Sequence, residues 1–504
     1  MTLINDALFA LLFANLVSLH LNGLIPMKKI KLIKSLAIVL IFNAMFLLSS
    51  AQSGYNIIFD LNGLNDSILL LANYSGDKQF VVDTAYPGKN NRYIFSGKKE
   101  LLPGMYFIAG QNKSKIFDFL ISDSRNFTIS GNKDQVPQSL KVKDSKENQL
   151  FFNYILFLND KQKERAQYLE IQKKSTPGSD SALGAANQIN LVNEEVQRYI
   201  NGIINSNSGS LISAFLKAMQ EPEIPSSPIL PNGRPDSTFP YRYFKNHFWD
   251  NIDLSDDRLV RTPFLHGKVE QYLTKLTHPA PDSLIKSIDE LFIRSGDNPE
   301  TFKYLMWYLT IKYESSEIMG YDAIFVHLVD KYYNDDKMNW MNPTVKENLI
   351  KKANKLKKVL IGKIAPEMIL LDTLQQPVSL HKINAEYTII YFWDPDCSHC
   401  KKETPLLKDL YSNRKDEIGL QVYAVCMDTS WVEMKKYIRQ NNTSWINVNG
   451  FYSLTPDFRE LYDVNTSPVM FLLDKKKNII AKRILTTQME AFINQHRQKI
   501  IAQE

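Results

Sequence analysis

The chain has 504 residues, which predicts more than one domain, because single hydrophobic cores stop growing near roughly 250–300 residues. At 44% hydrophobic and 23% charged it has the make-up of a globular protein with proper cores rather than a disordered or fibrous one. The net charge of +6 is small for this length and lysines alternate with acids along most of the chain, so no nucleic-acid-binding signature is present.

Residues 27–51, MKKIKLIKSLAIVLIFNAMFLLSSA, have the layout of a secretory signal peptide. Lys28, Lys29, Lys31 and Lys34 precede an apolar core from Leu36 to Leu48, and Ser49-Ser50-Ala51 offers a cleavage site after Ala51. An apolar core of about a dozen residues is short for a bilayer span. No cysteine at the cleavage site invites a lipid anchor. Residues 1–26 are apolar but lack a basic start, and two readings stand. Either Met27 is the true initiator, or the segment forms a membrane hairpin with the lysine cluster as its cytoplasmic turn. Both place the remainder outside the cytoplasm, in the periplasm or cell envelope, with membrane attachment only if the N-terminal segment is retained.

Residues 53–140 read as a small antiparallel β-sandwich. Seven short runs of strand type, from Tyr55–Phe59 to Asn126–Ile129, are separated by turn signals such as Asn62-Gly63, Pro87-Gly88 and Pro103-Gly104. From Asp144 the period becomes helical, and residues 144–358 read as a mainly α-helical domain. Asp144 with Glu147 suggests a capping box for a helix running through Lys174. The proline-dense stretch 221–240 excludes helix or central strand. Helical patterns return from Arg258 to Lys358, with Tyr304, Trp307, Tyr308 and Tyr313 read as core.

Residues 361–504 predict an α/β domain: a strand hairpin, a buried strand at 387–393, a helix at 398–413, a strand at 420–426, a helix at 430–441, a strand pair at 467–473 and 478–484, and a closing helix at 486–501. An exported chain ordinarily uses cysteines as structural staples. This one has none before Cys397, so the close pair Cys397 and Cys400 in YFWDPDCSHCKKETP is free for chemistry. A cysteine just before a helix meets unsatisfied N–H groups that favour its thiolate, and the second lies one turn on. Cys397 is therefore read as nucleophile and Cys400 as resolving thiol. His399 is read as a donor or positive charge near that thiolate, biasing the pair toward oxidant. Zinc would need ligands beyond Cys426 and scattered histidines. Pro468, directly before a buried strand, suggests a cis Ser467–Pro468 bond that sets the Ser467 backbone beside Cys397. Glu403, one turn past Cys400, is placed to exchange a proton with the resolving thiol. Cys426 is read as a buried small hydrophobe.

GKIAP (362–366), YFWDPDCSHCKKETPLL (391–407) and YDVNTSPVMFLLD (462–474) together resemble the thioredoxin-like domain of the TlpA/ResA type, exported thiol–disulfide oxidoreductases. The resemblance implies Cys397 and Cys400 as the redox pair, Pro468 as the cis-proline and Glu403 as the helix acid. It departs from that pattern at His399, where reductants of this type carry proline, and at Tyr391, where cytosolic thioredoxins keep a buried aspartate. A β domain and a helical region of unknown function ahead of such a domain also resemble an arrangement of exported Gram-negative proteins. The reading is an exported thiol–disulfide oxidoreductase, reductant preferred over oxidant. Its only redox group is the Cys397–Cys400 disulfide, with no other cofactor and no metal. Its partners are cysteine-bearing substrate proteins and a membrane electron donor or reoxidising protein. Two rivals stand beside it. One is a cell-envelope binding or assembly protein that docks through this domain. The other is a thiol peroxidase, disfavoured because Asp394 stands where that chemistry wants threonine.

Overall fold

Residues 54–333 and 336–502 are described by the computed structural model. The signal peptide and extension read from residues 1–51 lie outside the described residues, and among these no helix is long and apolar enough to cross a membrane. The chain divides into two units, residues 54–74 with 78–216 and residues 217–502 with 75–77.

In the first unit alternation of apolar and polar residues builds a two-sheet sandwich from β1 (Tyr55–Asn62), β2 (Leu69–Ser75), β3 (Lys78–Ala85), β4 (Tyr93–Gly97), β5 (Gly104–Gly110), β6 (Lys115–Ile121), β7 (Asn126–Asn132) and β8 (Lys141–Lys143). The strand orders are β4-β1-β7-β8 and β3-β2-β5-β6. Phe59 of one sheet meets Phe119 of the other with ring centroids 5.4 Å apart. The sandwich contains a parallel pair, β1 with β7, where an antiparallel one was expected. The two strands are far apart in sequence, and such a long connection permits parallel pairing where a tight hairpin does not.

Helices α1 (Lys146–Lys174), α2 (Asp180–Ser206) and α3 (Leu211–Met219) follow. The N-cap of α1 is Ser145, whose hydroxyl accepts from Asn148 N, while Asp144 takes a left-handed φ of 67° just outside. Asp123 supplies the carboxylate at this terminus, accepting from the N–H groups of Lys146 and Glu147. Asn148 bonds both backbone groups of Leu120, at 2.7 Å each, and so covers the outer edge of β6. Phe151, Phe152, Leu211 and Leu216 join the core of the sandwich. The helical block read as 144–358 therefore divides, its first part belonging with the β domain. Amphipathic spacing identifies an apolar face without naming what covers it.

In the second unit come α4 (Phe239–His247), α5 (Leu265–Lys275), α6 (Pro281–Ser295), α7 (Pro299–Glu314), α8 (Asp322–Tyr332) and α9 (Pro343–Leu356). Pro240, expected to lie outside any helix, sits in the first turn of α4, where a missing N–H costs nothing. Tyr304 and Tyr313 are buried, whereas Trp307 and Tyr308 are half-buried.

The C-terminal part holds β9 (Ile369–Asp372), β10 (Pro377–Ser379), β11 (Tyr387–Trp393), α10 (Ser398–Ile418), β12 (Leu420–Cys426), α11 (Trp431–Asn441), β13 (Ile446–Ser453), α12 (Phe458–Tyr462), β14 (Val469–Leu473), β15 (Ile479–Lys482) and α13 (Thr486–Ile501). Its sheet order is β10-β9-β13-β12-β11-β14-β15. Wholly buried β11 lies between β12, parallel, and β14, antiparallel. A continuous apolar run is what a central strand covered on both faces requires. β11 delivers the chain to the N-terminus of α10, and this junction carries the cysteine pair.

Candidate functional site

Beyond Trp393 the chain turns tightly through Asp394-Pro395-Asp396. The Asp394 side chain accepts from Asp396 N at 2.8 Å and its carbonyl from Cys397 N at 3.2 Å. Cys397 is thereby set as the N-cap of α10, and its Sγ accepts from Cys400 N at 3.2 Å. A sulfur in this position takes the place of the serine or aspartate oxygen that ordinarily satisfies a first-turn N–H. On its other side Cys397 Sγ lies 3.3 Å from the carbonyl oxygen of Ser467, to which the thiol donates. The Ser467–Pro468 bond is cis, as the sequence suggests. Thus a residue 70 positions away is brought against the first cysteine.

The two sulfurs differ sharply in their surroundings. Cys397 is partly exposed, and Cys400 has no exposed surface. Burial pushes the Cys397 thiol up, but the hydrogen bond with Cys400, the Ser467 side chain and the N–H groups of Cys400 and His399 outweigh it, and the net shift is downward. For Cys400, burial followed by the hydrogen bond to Cys397 pushes the thiol up to about 12. Cys426 stands opposite Trp393 in the β11–β12 register, fully buried, and burial raises it likewise to about 12.

His399 contributes its amide to the environment of the Cys397 sulfur while its imidazole faces solvent. Glu403 Oε2 accepts from Thr486 Oγ1 at 2.7 Å and Thr486 N at 3.2 Å. The helix acid therefore ties α10 to the first turn of α13, and these bonds go to Thr486 rather than to the resolving thiol.

Beneath the pair runs a hydroxyl chain that sequence reasoning missed. Tyr391 OH and Thr404 Oγ1 are 2.9 Å apart, as are Thr404 Oγ1 and Tyr437 OH. Tyr437 also stacks on Trp393 at 4.6 Å. Tyr391, noted as replacing a buried aspartate, thus finds its polar partner in Thr404. Thr404 and Tyr437 belong to different helices, and no local spacing connects them.

Residues 361–482 match the AhpC/TSA family, residues 185–358 the domain of unknown function DUF5106 and residues 55–151 the domain of unknown function DUF4369. The chain is 25% identical over 150 residues to a "Thiol-disulfide oxidoreductase ResA" of Bacillus cereus, spanning 28% of this chain and 80% of that protein. It is 24% identical over 135 residues to the protein of the same name from Bacillus subtilis, spanning 27% of this chain and 73% of that one. Among solved structures, a domain of a possible thiol-disulfide isomerase from Cytophaga hutchinsonii is 38% identical, covering 28% of this chain and 97% of its own, with a TM-score of 0.27. The C-terminal part of the chain is thus an AhpC/TSA thioredoxin-like domain similar to thiol–disulfide oxidoreductases of the ResA type, set behind two domains of unknown function.

Proposed function

We propose that the chain is exported to the periplasm or cell envelope and reduces disulfides in substrate proteins through Cys397 and Cys400, drawing electrons from a membrane donor. The asymmetry of the two sulfurs carries this reading: Cys397 is open and favoured as thiolate, and Cys400 is buried and held as thiol. The Cys397 thiolate attacks one sulfur of a substrate disulfide. That S–S bond breaks, a mixed disulfide forms, and the other substrate sulfur leaves as a thiolate and takes a proton. Cys400 then releases its proton and attacks the Cys397 sulfur, closing the Cys397–Cys400 disulfide and freeing the second substrate thiol. Two electrons pass to the substrate, and a dithiol donor returns them by the reverse exchange. The pair carries the electrons itself, so no organic cofactor takes part.

Pro468 and the Ser467 carbonyl present backbone for the substrate segment at the point of attack. Glu403 serves as a positioning residue, fixing α10 against α13. Reductant is favoured over oxidant because the exposed His399 imidazole makes no hydrogen bond to the Cys397 sulfur, leaving thiolate stabilisation to the amides of His399 and Cys400 and to the Ser467 side chain. The test is the midpoint potential of the pair in the full chain, titrated against a thiol–disulfide buffer. A value near or below about −250 mV is expected, whereas one near about −120 mV makes the protein an oxidant. If no disulfide forms at any potential, the redox reading fails and an envelope docking role takes its place.

A further inference from the structure

A groove of about 930 Å³ opens beside the active-site loop, a volume within the range of ligand-binding clefts. Thr466 and Pro468 line it, and the residue between them, Ser467, holds its carbonyl 3.3 Å from Cys397 Sγ. The groove therefore begins where a substrate disulfide must be held. One side is apolar and comes from the redox domain: Val469, Met470, Ile484 and Leu485. The other comes from α9 of the helical region, through Asn348, Lys351, Lys352 and Lys355, with Arg483 nearby.

The basic wall has donors to spare. Residues 343–358 hold six lysines against a single acid, Glu347. Lys351 meets Glu347 and Lys355 meets Glu460, each at 2.7 Å, and Lys352 pairs with Glu314. An ammonium carries three N–H donors, so such a pairing leaves hydrogens for a further acceptor. Two carboxylates, Glu317 and Asp463, also line the groove, and Asp463 lies 3.6 Å from Arg483.

We propose that this groove holds the extended polypeptide segment flanking the reactive cysteine of a substrate protein. The segment carries carboxylates toward the lysines of α9 and apolar side chains toward Met470 and Leu485. The helical region is then a specificity element of the redox reaction. The inference rests on the redox reading above.

The experiment measures exchange between the reduced full chain and three synthetic peptides carrying one disulfide each, flanked by acidic, neutral or basic residues. Hydroxyethyl disulfide, a small uncharged disulfide, is run alongside. The acidic peptide is expected to react about five- to tenfold faster than the basic one, as a few partly exposed ion pairs would give. The ratio should shrink as salt screens it. In the charge-reversed double variant Lys351→Glu with Lys355→Glu it should fall below one. Lys351→Glu alone, whose side chain is 65% exposed, keeps the test open should the double variant fail to fold. No reaction with hydroxyethyl disulfide overturns the redox reading. Reaction with it, but equal rates for the three peptides or a ratio the variants leave unchanged, overturns the groove assignment alone.

Discussion

Cys400 and Cys397 are three residues apart and chemically unlike, and the difference is one of access. In the native reduced chain an alkylating agent is expected to label Cys397 and spare Cys400 and Cys426, both fully buried. The rate should rise with pH to a midpoint below that of an ordinary cysteine thiol, following the downward shift of Cys397. Peptide mass mapping across a pH series checks both expectations. For the same reason Cys400→Ser, not Cys397→Ser, should accumulate a mixed disulfide with substrate, since the variant keeps the open nucleophile and loses the thiol that resolves it. The shared hydroxyl below the pair gives a second expectation. Thr404→Val leaves the buried hydroxyls of Tyr391 and Tyr437 without their common partner, which should cost about 2–3 kcal/mol in denaturant unfolding. Tyr391→Phe removes the bond to Thr404 and a long one of 3.5 Å to the Cys400 carbonyl but keeps that between Thr404 and Tyr437, and should cost less. At this scale Cys397, Cys400 and Pro468 were legible because they sit in short motifs. Thr404, Tyr437 and the Thr486 partner of Glu403 were not, because each meets the site only through the fold.

Strands and helices were legible where one period ran undisturbed and obscure where polar residues were satisfied inside the core. β13 went unread because Asn447, Asn449 and Gly450 weaken its strand character. In the fold Asn447 bonds the carbonyl of Trp445 at 2.9 Å and its ring nitrogen at 3.2 Å, and Asn449 donates to the Asp428 carbonyl at 2.8 Å. With those groups satisfied the strand can be buried. A polar cluster of the same kind joins α6 to α8, where Asp289 accepts from His327 and Tyr332 at 2.8 Å and from Lys331 at 2.9 Å. Burial works to raise the Asp289 carboxyl, but hydrogen bonds from His327, Lys331 and Tyr332 outweigh it and hold it below the usual carboxylate range. A depressed folded-state pKa contributes stability above the unfolded value of about 4 and loses it as pH falls through the folded value. Asp289→Asn should therefore destabilise the chain by about 2 kcal/mol at neutral pH and flatten the acid limb of its stability profile. Urea unfolding at a series of pH values reads both.

Across the second unit the helical region and the redox domain share more than a groove. Lys482, 5% exposed, donates to the Val359 carbonyl at 2.7 Å and pairs with Asp322 at the start of α8. Burial lowers the Lys482 pKa and the Asp322 carboxylate works against that fall. Removing one partner of a buried pair leaves an uncompensated charge, a loss of about 3 kcal/mol or more. Asp322→Ala is thus expected to lower the midpoint of the second unit and to separate a single unfolding transition into two, read by calorimetry. Nothing near Lys482 in the sequence points to its burial, since its partner Asp322 lies 160 residues away. The same limit put the upstream domain border near residue 144, although the first helices complete the β core.

The two outer strands of the redox sheet bear on solubility. β10 is three residues long and begins with Pro377, which has no N–H to offer. At the opposite side β15 is already engaged, Ile479 donating to the Lys363 carbonyl and accepting from Gly362 N, both at 2.8 Å. Neither border presents a long row of open backbone groups on which a foreign strand could stack. Under the proposed redox role, a partly folded substrate chain seeks such a template, and this sheet gives it little purchase. In that role, exchange is confined to one loop and does not draw the protein into a growing aggregate of its substrates.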